Sequence, residues 1–167
     1  MQADRAAVIA QIVHAFGENP YPGDGVLQGS SEGCEPFDEV GPFQGLHAWQ
    51  EIAPALLDAH GATLSFFSEA GFRFFLPAFL LADLRDQLQY ADPLFHLTHG
   101  FYDFTVTIEK PPRTFTIAAG KSRLLNPRRY GAITAGDYAR YRLSVFTREE
   151  VVALIAYIEY KRAIDDS

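Results

Sequence analysis

Six phenylalanines fall between positions 66 and 79 of this 167-residue chain, within the run Leu64-Ser65-Phe66-Phe67-Ser68-Glu69-Ala70-Gly71-Phe72-Arg73-Phe74-Phe75-Leu76-Pro77-Ala78-Phe79-Leu80-Leu81. A block this apolar cannot be left in water, so the rest of the chain has to wrap around it. Ser68 is a natural helix cap with Glu69 in the first turn. Leu76 precedes a proline and is pushed away from helical geometry, so a short helix is expected to stop near Phe75. Pro77 then opens a second helix running to Tyr90, with Phe79, Leu80, Leu84 and Leu88 on its inner face. Two helices meeting at a proline bend are the expected centre of the core.

Helical patterns flank that block. Over residues 4–16 the apolar stripe is Ile9, Ile12, Val13 and Phe16, with Asp4 to cap the start and Gly17 the end. Between Leu46 and His60, Pro54 is cheapest as the first residue of a helix that starts near Ala53, after a separate turn holding Trp49. Thr147-Arg148-Glu149-Glu150 is a capping box. It opens a last helix through Arg162, with Val151, Leu154, Ile155 and Ile158 expected inward. Residues 17–45 hold seven glycines and four prolines, a density that suppresses helix and sheet and reads as a long loop. Alternation appears at Phe104, Val106 and Ile108 and again over Thr114-Phe115-Thr116-Ile117, on either side of Pro111-Pro112, which suits a small hairpin. The expected fold is α+β, mainly α-helical, a single domain over 1–167.

Charge narrows the function. Between Ala6 and Phe72 there is no Lys or Arg and there are nine acids, while the chain from Arg73 onward carries 13 basic and 11 acidic residues. A chain with so acidic a half is not expected to bind nucleic acid, which needs a concentrated basic surface. No apolar run reaches the roughly 20 residues that span a bilayer, and the first residues lack the basic start of a secretion signal, so no membrane partner is expected. The lone Cys34 rules out an internal disulfide and fits a reducing cytoplasm. Its neighbours Glu32, Glu35, Asp38 and Glu39 would raise a thiol's pKa, the reverse of what a nucleophile needs. Those acids also lack the alternating ligand spacing of a calcium loop.

Few motifs carry chemistry. Ala118-Ala119-Gly120-Lys121-Ser122 ends like a phosphate-binding loop, but Phe115 stands where its first glycine belongs, which argues against nucleotide hydrolysis. His96, His99 and Asp103 are spaced so that, on a helix, two imidazoles and a carboxylate share a face, enough for an open zinc or iron site. No glutamate lies between the histidines, and Gly100 follows at once. There is no nucleophile elbow and no dinucleotide fingerprint. No residue pattern identifies an enzyme, and no cofactor is expected. The leading expectation is a binding protein whose partner is another protein, self-association remaining open. Its contact candidates are Asp24, Glu32, Glu35, Asp38 and Glu39 in the acidic loop and Arg128 and Arg129 in a basic stretch. The alternative is a small metal-dependent hydrolase using His96, His99 and Asp103. Arg73, alone among aromatics, is expected to serve inside the molecule, with Glu69 four residues earlier as its partner.

The loop Asn19-Pro20-Tyr21-Pro22-Gly23-Asp24, the block Phe72-Arg73-Phe74-Phe75-Leu76-Pro77-Ala78-Phe79-Leu80 and the closing Phe146-Thr147-Arg148-Glu149-Glu150 together resemble a family of small bacterial proteins of unknown function. The resemblance covers the first ninety residues and the last twenty, with residues 98–140 looking like an expansion. It implies a shared fold. The family has no assigned catalytic residues, so it implies nothing about mechanism.

Overall fold

In the computed structural model, which describes residues 4–101, 105–118 and 134–165, Phe66 ends a short helix and the part of the block from Glu69 onward forms one uninterrupted helix. Helix α5 (Glu69–Leu84) runs straight through Pro77, against the expected break at Phe75. The missing N–H and the ring clash cost about 3 kcal/mol. Beyond the proline, however, Ala78, Phe79, Leu80, Leu81, Ala82 and Leu84 are all buried. A large side chain is worth about 1.5–3 kcal/mol when buried, so continuing the helix offsets its flaw several times over. The helix stops at Leu84 rather than Tyr90, and Asp86 adopts a positive φ of 56°. Asp58 Oδ1 accepts from the N–H groups of Gln89, Tyr90 and Ala91 at 2.7–3.0 Å and holds the chain that follows.

The described residues group into two compact units, 1–94 with 145–167, and 95–144. In the first, α5 packs with α1 (Arg5–Phe16), which also lies along α8 (Arg148–Asp165). Asp4 caps α1 by accepting from Ala6 N–H. The buried stripe of α1 is Val8, Ile12 and Phe16, and Val13 is exposed. Between α1 and α5 the chain makes α2 (Glu35–Val40), α3 (Pro54–Ala59) and α4 (Thr63–Phe66), joined by short 3-10 turns. Ala53 stands at the cap position of α3 and Pro54 in its first turn, as the sequence predicts.

Helix α2 forms inside the glycine- and proline-rich segment expected to stay irregular. Pro36 sits in its first turn, where a missing N–H costs nothing, and is buried along with Val40. The same segment is pinned to the core at Gly29, whose N–H donates to Phe66 O at 2.7 Å, while Ser68 N–H donates to Leu27 O. A Cβ on residue 29 would stand 2.5 Å from Phe67 O, so only glycine permits this approach.

Helix α8 keeps Leu154 of its expected inward residues and half-buries Ile158, but is otherwise rotated from its expected face. Thr147 and Glu150 form the predicted capping box, yet the inward residues are Glu150, Ala153, Leu154, Tyr157 and Tyr160. Val151 and Ile155 are exposed. Polar partners on other helices decide the rotation. Tyr157 Oη donates to Asp83 Oδ2 at 2.6 Å, Lys161 Nζ reaches the same carboxylate, and Arg5 Nε donates to Tyr160 Oη. A buried tyrosine contributes a large apolar surface once its hydroxyl is satisfied. Burial and the Asp83 charge push the Tyr157 hydroxyl far above its ordinary pKa.

Helix α6 (Pro93–Thr98), whose residues from Phe95 onward belong to the second unit, is followed by a 3-10 turn. Strands β1 (Thr105–Lys110) and β2 (Arg113–Ala118) pair antiparallel, from Thr105 opposite Ala118 to Lys110 opposite Arg113. Helix α7 (Ala135–Leu143) opens on a capping box between Thr134 and Asp137. The protein is thus mostly helical. No helix among the described residues is long and apolar enough to cross a membrane.

Candidate functional site

Arg73 is where the sequence concentrates its chemistry, and its partner is not Glu69. Its Nε lies 3.1 and 3.0 Å from the two carboxylate oxygens of Glu150, and its Nη2 donates to Glu150 Oε1 at 2.9 Å and to Asn19 Oδ1 at 3.2 Å. Glu150 is fully buried, and the same side chain accepts Thr147 N–H at 2.7 Å. One glutamate therefore caps α8 and anchors α5. The intramolecular role expected of Arg73 holds, through a residue 77 positions away. Glu69 loses because a glutamate already fixed by its own helix cap offers a bidentate acceptor with little side-chain entropy left to lose.

The loop that carries Asn19 continues into a second polar knot. Tyr21 Oη donates to Asp24 Oδ1, and Gly45 N–H donates to the same oxygen at 2.8 Å. The Tyr21 ring meets Phe74 edge-on at 5.3 Å and His47 at 4.4 Å. Burial, reinforced by the bond to Asp24, pushes the Tyr21 hydroxyl up to about 12. The Tyr21 hydroxyl, followed by the Gly45 N–H, holds the Asp24 carboxyl below its usual value. A carboxyl lowered in the folded state stabilises above its unfolded pKa, and that contribution is lost as pH falls through the folded one. Thermal unfolding of Asp24→Asn should therefore depend less on pH than the parent below about pH 5. Identical pH profiles would show that the Tyr21–Asp24–Gly45 knot contributes nothing in solution.

Asn19, Pro20, Pro22, Ala70, Arg73 and Phe74 line a concavity of about 170 Å³ beside these knots. The Arg73 charge facing it is neutralised by Glu150, and neither knot pairs a nucleophile with a free base. The sequence pattern marks Asn19 and Tyr21 as members of a loop and Glu150 as part of a helix cap, but not as partners of Arg73 or Asp24. The Tyr21–Asp24 spacing and the cap position of Glu150 were the available cues.

The acidic contact candidates separate. Asp24 is committed to its knot, and Glu39 Oε2 lies 3.5 Å from His60 Nδ1. Glu32, Glu35 and Asp38 remain exposed, as does Phe37, which is 56% exposed on α2. Cys34 is exposed at the cap position of α2. His96 and His99 line one concavity of about 110 Å³ with Tyr138 and Arg142, their rings 6.3 Å apart. His99 Nδ1 is 2.9 Å from Phe95 O. Asp103, Arg128 and Arg129 lie outside the described residues. Among the described residues no three His, Cys, Asp or Glu side chains are grouped to hold a metal.

No curated protein and no solved structure matches the chain. The model of one protein family does match, over residues 4–167, and that family is described as one of unknown function.

Proposed function

The chain belongs to that family, DUF6714, and we propose that it is a cytoplasmic, non-enzymatic binding protein of bacteria that engages another protein through α2. The observation that carries this reading is Phe37. Pro36 and Val40 are buried on α2, while Phe37 stands 56% exposed, with Glu32, Glu35 and Asp38 exposed close by in sequence. A ring presented on a short anchored helix is an anchor of the kind that fills a partner's pocket. The carboxylates near it in sequence select a basic surface and steer its approach, in a stretch, Ala6–Phe72, with no Lys or Arg of its own. That same acidity disfavours nucleic acid.

A photo-crosslinking residue at position 37, expressed in the native host, is expected to trap one partner through a basic segment. The Glu35→Lys/Asp38→Lys variant, or raised salt during capture, should abolish that adduct while leaving thermal unfolding unchanged. Adducts indifferent to both would refute the proposal. The hydrolase reading rests on His96 and His99 sharing one concavity. Stoichiometric zinc or iron in untagged protein, lost on His96→Ala, would transfer the function to that site.

A further inference from the structure

The outward pole of α8 is more aliphatic than its inward one. Val152 and Ile155 are 47% and 49% exposed, while Glu150 and Tyr157 are buried on the opposite side. Arg148, Val152, Ile155 and Glu159 follow one another at steps of four, three and four residues. That spacing places all four in one line along the helix, the seam geometry of two helices packed side by side. Arg148 and Glu159 are exposed, and neither has an ion-pair partner among the described residues.

We propose that this line is a homodimer seam, in which two copies of the chain pair α8 against α8 in antiparallel sense. A two-fold axis passing between positions 153 and 154 sets Val152 of each copy opposite Ile155 of the other. It also sets Arg148 opposite Glu159 at both ends, so the aliphatic centre is closed by two symmetry-related ion pairs. A parallel pairing would instead oppose Arg148 to Arg148 and Glu159 to Glu159. The face is therefore complementary to itself in one sense only, which favours a second copy over an unrelated partner. A single-helix seam sits at the small end of specific interfaces, so the dimer forms at micromolar or higher protein concentration. This surface is separate from α2 and does not depend on the role given to Phe37.

Sedimentation velocity of the full chain over a concentration series tests the seam. The parent should dimerise reversibly, and Ile155→Glu should be monomeric at every concentration. Arg148→Glu and Glu159→Arg each create two like-charge contacts per dimer and should each weaken it at least about tenfold. The double variant Arg148→Glu/Glu159→Arg swaps the charges and should restore dimerisation. All four residues are exposed, so far-UV dichroism and the melting temperature of the dilute monomer should match the parent. A monomeric parent, a dimer that survives Ile155→Glu, or a double variant no better than the singles would each overturn the proposal.

Discussion

Arg73→Met is expected to lower the unfolding free energy by about 3–5 kcal/mol, because it strands a carboxylate in the interior. Glu150 has no exposed surface through which to recover hydration, and after the substitution only Thr147 N–H still serves it. The reverse change, Glu150→Met, should cost less. The Arg73 side chain keeps about a third of its surface in water, so its charge can be rehydrated, and the loss is then about 1–3 kcal/mol including the helix cap. Removing both charges leaves neither orphaned. The double variant should be more stable than the sum of the singles predicts, with a coupling of about 2–3 kcal/mol. Denaturant unfolding of the four proteins measures this directly. A coupling below about 0.5 kcal/mol would mean that the two groups do not meet in solution.

Phe79→Ala should cost about 3–5 kcal/mol, the sum of lost transfer energy and the cavity it leaves. Phe79 is fully buried on α5, with its ring stacked 6.2 Å from Phe43. Phe43 in turn meets Phe67 and Phe75 at 5.2 Å, so the rings form one interlocked set that cannot collapse to fill a void. Phe37→Ala, removing a ring of the same size from the surface, should change stability by less than about 0.5 kcal/mol. A denaturant midpoint that moves equally little for both would place Phe79 at the surface and refute the register of α5.

Local signals were legible wherever the deciding chemistry lies within one turn of the chain. Asp4, Ser68 and the Thr147–Glu150 box cap the helices they were expected to cap, and Pro54 opens α3. Each works through hydrogen bonds or dihedral limits between residues at most four apart. Pro77 shows where such rules fail. A local cost of about 3 kcal/mol is visible in the sequence, while the burial that outweighs it depends on what surrounds α5.

The candidate site divides in the same way. Arg73 stood out as a lone cation among aromatics, but its partner could not be read, because Glu150 becomes its neighbour only when α8 docks. Of the aliphatic residues expected inward on α8, Leu154 is buried while Val151 and Ile155 end up in water. Asp83, Arg5 and Arg73 claim Tyr157, Tyr160 and Glu150 across the helix interfaces, and satisfying those buried polar groups outweighs burying two aliphatic side chains. The amino-acid sequence by itself determined that the chain is mainly helical and where its capped helices begin, since these follow from short-range hydrogen bonding. Which face of each helix is buried, and which charge meets which, was decided by tertiary structure alone, because desolvated polar groups choose partners by proximity in space and not along the chain.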